Sequence, residues 1–240
     1  MTFSKRVLRL SRKELRDELG LSVDGVIFSM PPEGDVERWN HCWAGETHMW
    51  RKDDEAAKPE LAGDNTMAKQ VPIERALPMW CGISEGGVGE LCVHKSKKCS
   101  IDEWVDTVRK GVLGGLLRKL NPKNKKRPWK VLCDGEGFLR SKAAQKSYSA
   151  HHIELWSVPP RSPDLNPIEK FWAYVRKQLR AMDLRDLNRK RKALTKPQYI
   201  ARVRMILKTK GAQTKAANIA KGLRNVCREV VEKKGAASRG

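Results

Sequence analysis

Trp129-Lys130-Val131-Leu132-Cys133-Asp134-Gly135, followed by Ile153-Glu154-Leu155-Trp156-Ser157-Val158-Pro159-Pro160-Arg161-Ser162-Pro163-Asp164-Leu165-Asn166-Pro167-Ile168-Glu169-Lys170-Phe171-Trp172, decides the fold. Lys130 to Cys133 is a short apolar run of the kind a buried strand uses, residues 138 to 149 fit a helix, and Ile153 to Val158 repeats the strand pattern. Strand, helix and strand in so short a span predict a βαβ unit with parallel strands and a right-handed crossover. Asn166 suits a helix N-cap and Pro167 a first helical residue. The helix that follows should bury Ile168, Trp172, Val175 and Leu179, which recur at helical spacing. Asp134 therefore ends a strand, Glu169 lies in the first turn of a helix, and 34 residues separate them.

Upstream, residues 4 to 19 read as a lead-in helix with Val7, Leu10, Leu15 and Leu19 as its apolar stripe, and Gly20 punctuates it. Val26-Ile27-Phe28-Ser29 reads as a strand ended by Pro31-Pro32. A Trp-rich stretch (Trp39, Trp43, Trp50) and a polar loop from Lys52 to Lys69 come next. Met79 to Ile83 and Gly89 to His94 flank Glu85-Gly86-Gly87 as the two arms of a hairpin. Ser100 with Glu103 three residues on marks a helix start, with Ile101, Trp104, Val105, Val108 and Val112 on one face and Asn121-Pro122 as the stop. Beyond residue 180 the chain is helical in character, with a break at Pro197 and a last helix over about 215 to 233.

The 240 residues, 40% of them hydrophobic, are enough for a real core, and the formal charge is +21. That charge is uneven: residues 170 to 240 hold 21 Lys and Arg against four acids. A field of this size selects polyanions, with nucleic acid ahead of anionic membrane. No apolar run reaches the roughly 18 residues that span a bilayer, and Met1-Thr2-Phe3-Ser4-Lys5-Arg6 is no signal peptide, so an intracellular soluble protein is expected. Six scattered cysteines, without a Cys-x-x-Cys pair, indicate reduced thiols rather than a disulfide framework or zinc knuckle. The group His41, Cys42 and His48 fits no common zinc-finger spacing.

Two carboxylates at a strand's carboxyl end and a nearby helix N-terminus repel one another unless a cation lies between them. Mg²⁺ or Mn²⁺ prefers such oxygen ligands and supports phosphoryl transfer on nucleic acid. The bordering cations Arg161, Lys170, Arg176 and Lys177, and the run Arg189, Lys190, Arg191 and Lys192, are the candidate phosphate contacts. The eight tryptophans fit core packing better than base stacking.

The segment Pro160 to Trp172 resembles the signature of mariner-like DDE transposases, whose third carboxylate corresponds to Glu169 and whose second corresponds to Asp134. Met79 to Gly89 resembles that family's Trp-Gly hairpin, and Gly45-Glu46-Thr47-His48-Met49-Trp50-Arg51 its Trp-Arg strand. The resemblance runs from about residue 20 to 235. It implies an α/β, RNase H-like fold, a mixed sheet flanked by helices with a basic helical C-terminal extension. It also implies an endonuclease and strand transferase acting on DNA with Mg²⁺ or Mn²⁺, no membrane role, a homodimer as the candidate assembly, and the nucleus as the location in a eukaryote. The implied organisation is a lead-in helix over 1–20, a catalytic domain over 21–182 and a basic helical region over 183–240 that packs on the domain or binds DNA.

The same resemblance expects a first carboxylate at the end of the first strand, where this chain carries Met30. Asp24 before the strand and Asp35 after it are the candidate replacements, with Asp35 preferred. If neither serves, the alternative is a catalytically inactive, transposon-derived nucleic-acid-binding protein. A third reading is a structure-selective nuclease of the same fold. The family's helix-turn-helix modules have no counterpart in the roughly 20 residues ahead of the first strand.

Overall fold

The computed structural model describes residues 2–30, 73–96, 98–123, 127–160 and 162–233. The Trp-rich stretch, the Gly45 to Arg51 segment, the 52–69 loop, Asp35 and Arg161 lie outside the described residues. Five strands form one mixed sheet: β1 (Leu19–Ser29), β2 (Ala76–Ser84), β3 (Gly87–Val93), β4 (Trp129–Cys133) and β5 (Ile153–Ser157), in the order β3-β2-β1-β4-β5. β1 pairs antiparallel with β2, which pairs antiparallel with β3; β1 to β4 and β4 to β5 are parallel.

Helices cover both faces. On one side lie α3 (Ile101–Arg109), α4 (Val112–Leu120) and α5 (Lys142–Ala150), whose Trp104, Val108, Leu113, Leu117 and Tyr148 pack against Leu21, Val23, Trp80 and Val131. On the other lies α6 (Pro167–Asn188), which buries Ile168, Phe171, Trp172, Val175 and Leu179 against Val26, Phe28, Leu77 and Met79. The α6 stripe is the one its sequence spacing predicts, with Phe171 added.

α7 (Lys196–Lys208) and α8 (Lys210–Lys221) add Tyr199, Val203, Ile206, Leu207, Ala212 and Ala216 to this same core. α9 (Leu223–Glu232) packs with α1 (Phe3–Arg9) over Leu132 and Trp156. α6 is continuous across residues 182 and 183, and Asp183 is buried in an ion pair with Arg202 of α7 at 2.5 Å. The basic helices thus contribute apolar faces to the domain and turn most of their cations outward, with Arg202 turned in.

Four sequence expectations need correction, three of them divisions of a helix. The lead-in helix is two helices, α1 and α2 (Arg12–Glu18), because Ser11 and Glu14 form a capping box that starts a new helix. The helix expected from Ser100 to Asn121 is also two, divided where Gly111 takes a positive φ of 74°. The last helix likewise divides, at Gly222 between α8 and α9.

The largest correction concerns β1, which starts at Leu19, not Val26, and runs for 11 residues. Its alternate residues Leu21 and Val23 face the α3–α5 side, and Val26, Phe28 and Met30 face α6. Gly25 sits where the β2 residue Trp80 leans across the strand: an added Cβ would come within 2.6 Å of two indole atoms. All five tryptophans in the described residues are buried, consistent with core packing.

Gly25→Ala is expected to cost about 1–3 kcal/mol of stability by overpacking against Trp80. Gly115→Ala, inside α4 with open space around its Cβ, should gain about 0.4–1 kcal/mol. Urea unfolding of the two variants checks both signs.

Candidate metal centre

The parallel register of β1 and β4 pairs Ser22 with Leu132. Two residues further on, where β4 has ended, the same register places Asp24 beside Asp134. Both keep the parity of Ser22 and Leu132, so both project toward the α6 face. The chain crosses β5, makes a short 3-10 turn at Pro163–Leu165 and enters α6, whose first turn carries Glu169. Carboxylate oxygens of Asp24, Asp134 and Glu169 all lie within 4.8 Å of one another.

Neighbouring side chains hold these acids in place. Asn166 caps α6 by position only: its side chain makes no capping bond and instead reaches the sheet. Its Nδ2 donates to Asp134 Oδ1 at 2.9 Å, and its Oδ1 accepts from the Ser22 hydroxyl. Trp172 Nε1 donates to Asp24 Oδ2 at 3.0 Å. Asn166 is fully buried and Trp172 nearly so, so neither can trade these bonds for water.

The electrostatics are those of a site short of positive charge. Asp24 is 6% exposed, and burial pushes its carboxyl up to about 8, with the Glu169 charge and then that of Asp134 adding to the rise. The Trp172 bond and the Gly25 backbone N–H act in the opposite direction. Glu169 is also raised, by burial and then by Asp134, while Arg176, two turns along the same face of α6, opposes the shift. Three oxygen-donor groups this close fit a hard divalent cation such as Mg²⁺, which would relieve both the repulsion and the burial penalty.

Of the residues singled out by sequence, Asp134 and Glu169 are brought together. The acid that joins them is Asp24. Met30 stands six residues further along β1, about 20 Å away at the usual rise, with its side chain in the core and its backbone N–H donating to the Arg75 carbonyl at 2.8 Å. Met30 is a packing residue and does not occupy a ligand position. The expectation that it replaces the first carboxylate came from reading only the apolar end of β1 as strand. Sequence reasoning also missed Asn166 and Trp172 as positioning residues, having read one as a cap and the other as core.

The basic residues divide. Lys170 and Arg176 are half-buried and Lys177 exposed in the first three turns of α6, and Arg176 is close enough to act on Glu169. Arg189 to Lys192 are exposed past the far end of α6, about 30 Å from Glu169 along the helix axis. Arg191 there pairs with Asp186 at 3.1 Å.

This strand order, with an acid on the central strand, a second at the end of its parallel neighbour and a third on the helix behind, defines an RNase H-like nuclease-type domain. Residues 55–190 match the family described as DDE superfamily endonuclease, and the chain belongs to that family. Asp24 lies outside the matched stretch, so its place in the cluster rests on the geometry alone.

A 76-residue stretch, 28% of this chain and 28% of the relative, is 32% identical to the Tcb2 transposable element transposase of Caenorhabditis briggsae. Among solved structures, the Mos1 transposase paired-end complex with left transposon end superposes with a TM-score of 0.59 at 12% identity, covering 98% of this chain and 61% of that one. The mariner Mos1 paired-end complex with Mg gives 0.58 at 11% identity, over 98% and 60%. The chain therefore spans about three-fifths of the Mos1 chains and about a quarter of the Tcb2 transposase. Among the described residues no helix is long and apolar enough to cross a membrane.

A carboxyl with a higher pKa in the folded chain keeps its proton on folding. Between the unfolded value near 4 and about 8, the native state holds more protons than the unfolded chain, so stability falls as pH rises through that window. Asp24→Asn removes this penalty. In EDTA at pH 8 the variant should be more stable than the parent by on the order of 1–4 kcal/mol, with the difference closing toward pH 4. Chemical unfolding across this range checks it; a parent as stable as the variant at pH 8 contradicts the burial of an ionisable Asp24.

Proposed function

We propose that this chain is the catalytic domain of a mariner-like transposase, cleaving and joining DNA strands with Mg²⁺ or Mn²⁺ held by Asp24, Asp134 and Glu169. The observation that carries the proposal is the convergence of these three carboxylates in a member of the DDE endonuclease family. The alternative, a fold kept without catalysis, drew its force from a missing first acid, and Asp24 removes that reason.

The bound cation would supply charge neutralisation of the phosphate and activation of the attacking water or hydroxyl. The chain's own residues do the rest. Asn166 orients Asp134 through one hydrogen bond donated by its amide nitrogen, and Trp172 orients Asp24, so the oxygens are placed before any cation arrives. Lys170, Arg176 and Lys177 are positioned on the first turns of α6 to meet the backbone of a DNA strand entering the site. The more distant Arg189 to Lys192 would contact flanking duplex. Transposon-end DNA is the substrate class seen with the Mos1 relative, and the nucleus is the corresponding location in a eukaryotic cell.

Nicking of supercoiled plasmid in Mg²⁺ or Mn²⁺ tests the proposal. Asp24→Asn, Asp134→Asn and Glu169→Gln should each reduce nicking by at least about 100-fold, since loss of an outer-shell partner alone costs about 10–100-fold at metal sites. Met30→Leu, a near volume-conserving core change, should leave the rate within a few-fold of the parent. A parent chain without nicking in either metal, or one indifferent to Asp24→Asn, overturns the reading.

A further inference from the structure

A second group of metal-type ligands lies at the junction of β3 and α3, on the opposite face of the sheet from Asp24. His94 follows the last residue of β3, and its backbone N–H donates to the Pro78 carbonyl at 3.0 Å, which pins it to β2. Cys99 immediately precedes the α3 N-cap, and Glu103 is the third residue of α3. One ligand atom from each of His94, Cys99 and Glu103 falls within 4.8 Å of the others. His94 Nδ1 lies 3.8 Å from Glu103 Oε2.

These distances are near what a tetrahedral centre needs. Metal–ligand bonds of 2.0–2.3 Å set ligand atoms roughly 3.3–3.8 Å apart, so only a small contraction is required. The other imidazole nitrogen is also engaged: Cys92 Sγ lies 3.8 Å from His94 Nε2. In the tautomer that leaves Nδ1 free to ligate, Nε2–H donates to the Cys92 sulfur, which stands where ligating histidines ordinarily find a carboxylate, carbonyl or water. His94 is buried and Cys99 and Glu103 are half-buried; His94 and Cys99, with Glu136 and Phe138, help line a cleft of about 440 Å³.

From this geometry we infer that His94, Cys99 and Glu103 form a zinc-class site, with one coordination position open to the cleft and with Cys92 as the positioning residue of His94. The donor set separates the two centres chemically. Asp24, Asp134 and Glu169 offer only hard oxygens, while a mixed imidazole, thiolate and carboxylate set suits Zn²⁺ and rejects Mg²⁺. On binding, the Cys99 thiol gives its proton to solvent and its sulfur becomes a thiolate ligand. The ion would clip the end of β3 to the start of α3, and it is independent of the reading of the acidic centre.

Metal analysis of the full chain, loaded with ZnCl₂ and desalted, tests this site. About one zinc per chain is expected for the parent and equally for Asp134→Asn. Cys99→Ser should lose it, and Cys92→Ala should keep it with affinity reduced about 10–100-fold against a competing chelator. With Co²⁺ in place of zinc, the parent should show a thiolate-to-cobalt absorption band that Cys99→Ser lacks. Circular dichroism confirms that each variant is folded; Cys99 is partly exposed in a loop, so its replacement leaves the core intact. Zinc absent from the desalted parent, retained in Cys99→Ser, or lost in Asp134→Asn overturns the inference.

Discussion

Mutual repulsion of three carboxylates in a poorly solvated pocket is the constraint around which this domain is arranged. At an effective dielectric of about 20, two unit charges 4 Å apart repel by about 4 kcal/mol. A protonated Asp24 can share a hydrogen bond with Glu169, but the ionised groups repel, so the surrounding packing must enforce their proximity. The parallel β1–β4 register sets the first two side by side, and α6, anchored by a stripe of fully buried side chains, presents the third. Asn166 and Trp172 then join helix to strand through bonds made to the carboxylates themselves. The stability of α6 on the sheet and the geometry of the site are the same set of contacts.

The basic C-terminal helices extend this logic. Tyr199, Val203, Ile206 and Leu207 of α7 extend the α6-side core toward β3, α8 packs on β2 and β3, and Arg202 bridges Asp183 and Asp186 of α6. Asp183 is buried, and loss of Arg202 would leave it without its paired charge, a strongly destabilising change for a buried ion pair. A segment recognisable first by its positive charge thus serves the core with one face and can meet polyanions with the other. The arrangement is economical because the long lysine and arginine stems can lie along the helices while their charges stay in water.

Much of this was legible in the sequence. The βαβ unit, the hairpin around Glu85-Gly86, the Ser100 capping box, the α6 stripe and the pair Asp134 and Glu169 follow from local pattern, and the structure has each of them. The first acid was only partly legible, with Asp24 named as a candidate behind Asp35, for a physical reason. β1 is the central strand and is covered on both faces, so its sequence Leu19-Gly20-Leu21-Ser22-Val23-Asp24-Gly25 mixes apolar, small and polar residues without a clean strand period. Gly20, Ser22 and Gly25 look like punctuation, yet Gly25 makes room for Trp80 and Ser22 bonds to Asn166. The strand was therefore read as starting at Val26, which moved the expected acid to Met30. The His94, Cys99 and Glu103 group escaped notice because its spacing matches no paired-cysteine pattern, and only the turn between β3 and α3 brings the three together.

The central claim is that Asp24, on the middle strand, completes the metal centre with Asp134 and Glu169. A crystal structure of the protein soaked in Mn²⁺, with the ion located by its anomalous scattering, tests it directly. The account predicts manganese within coordination distance of oxygens from both Asp24 and Asp134, with Glu169 bordering the same site. Manganese held by Asp134 and Glu169 while Asp24 contributes no oxygen to it, or no manganese between these residues, would contradict it.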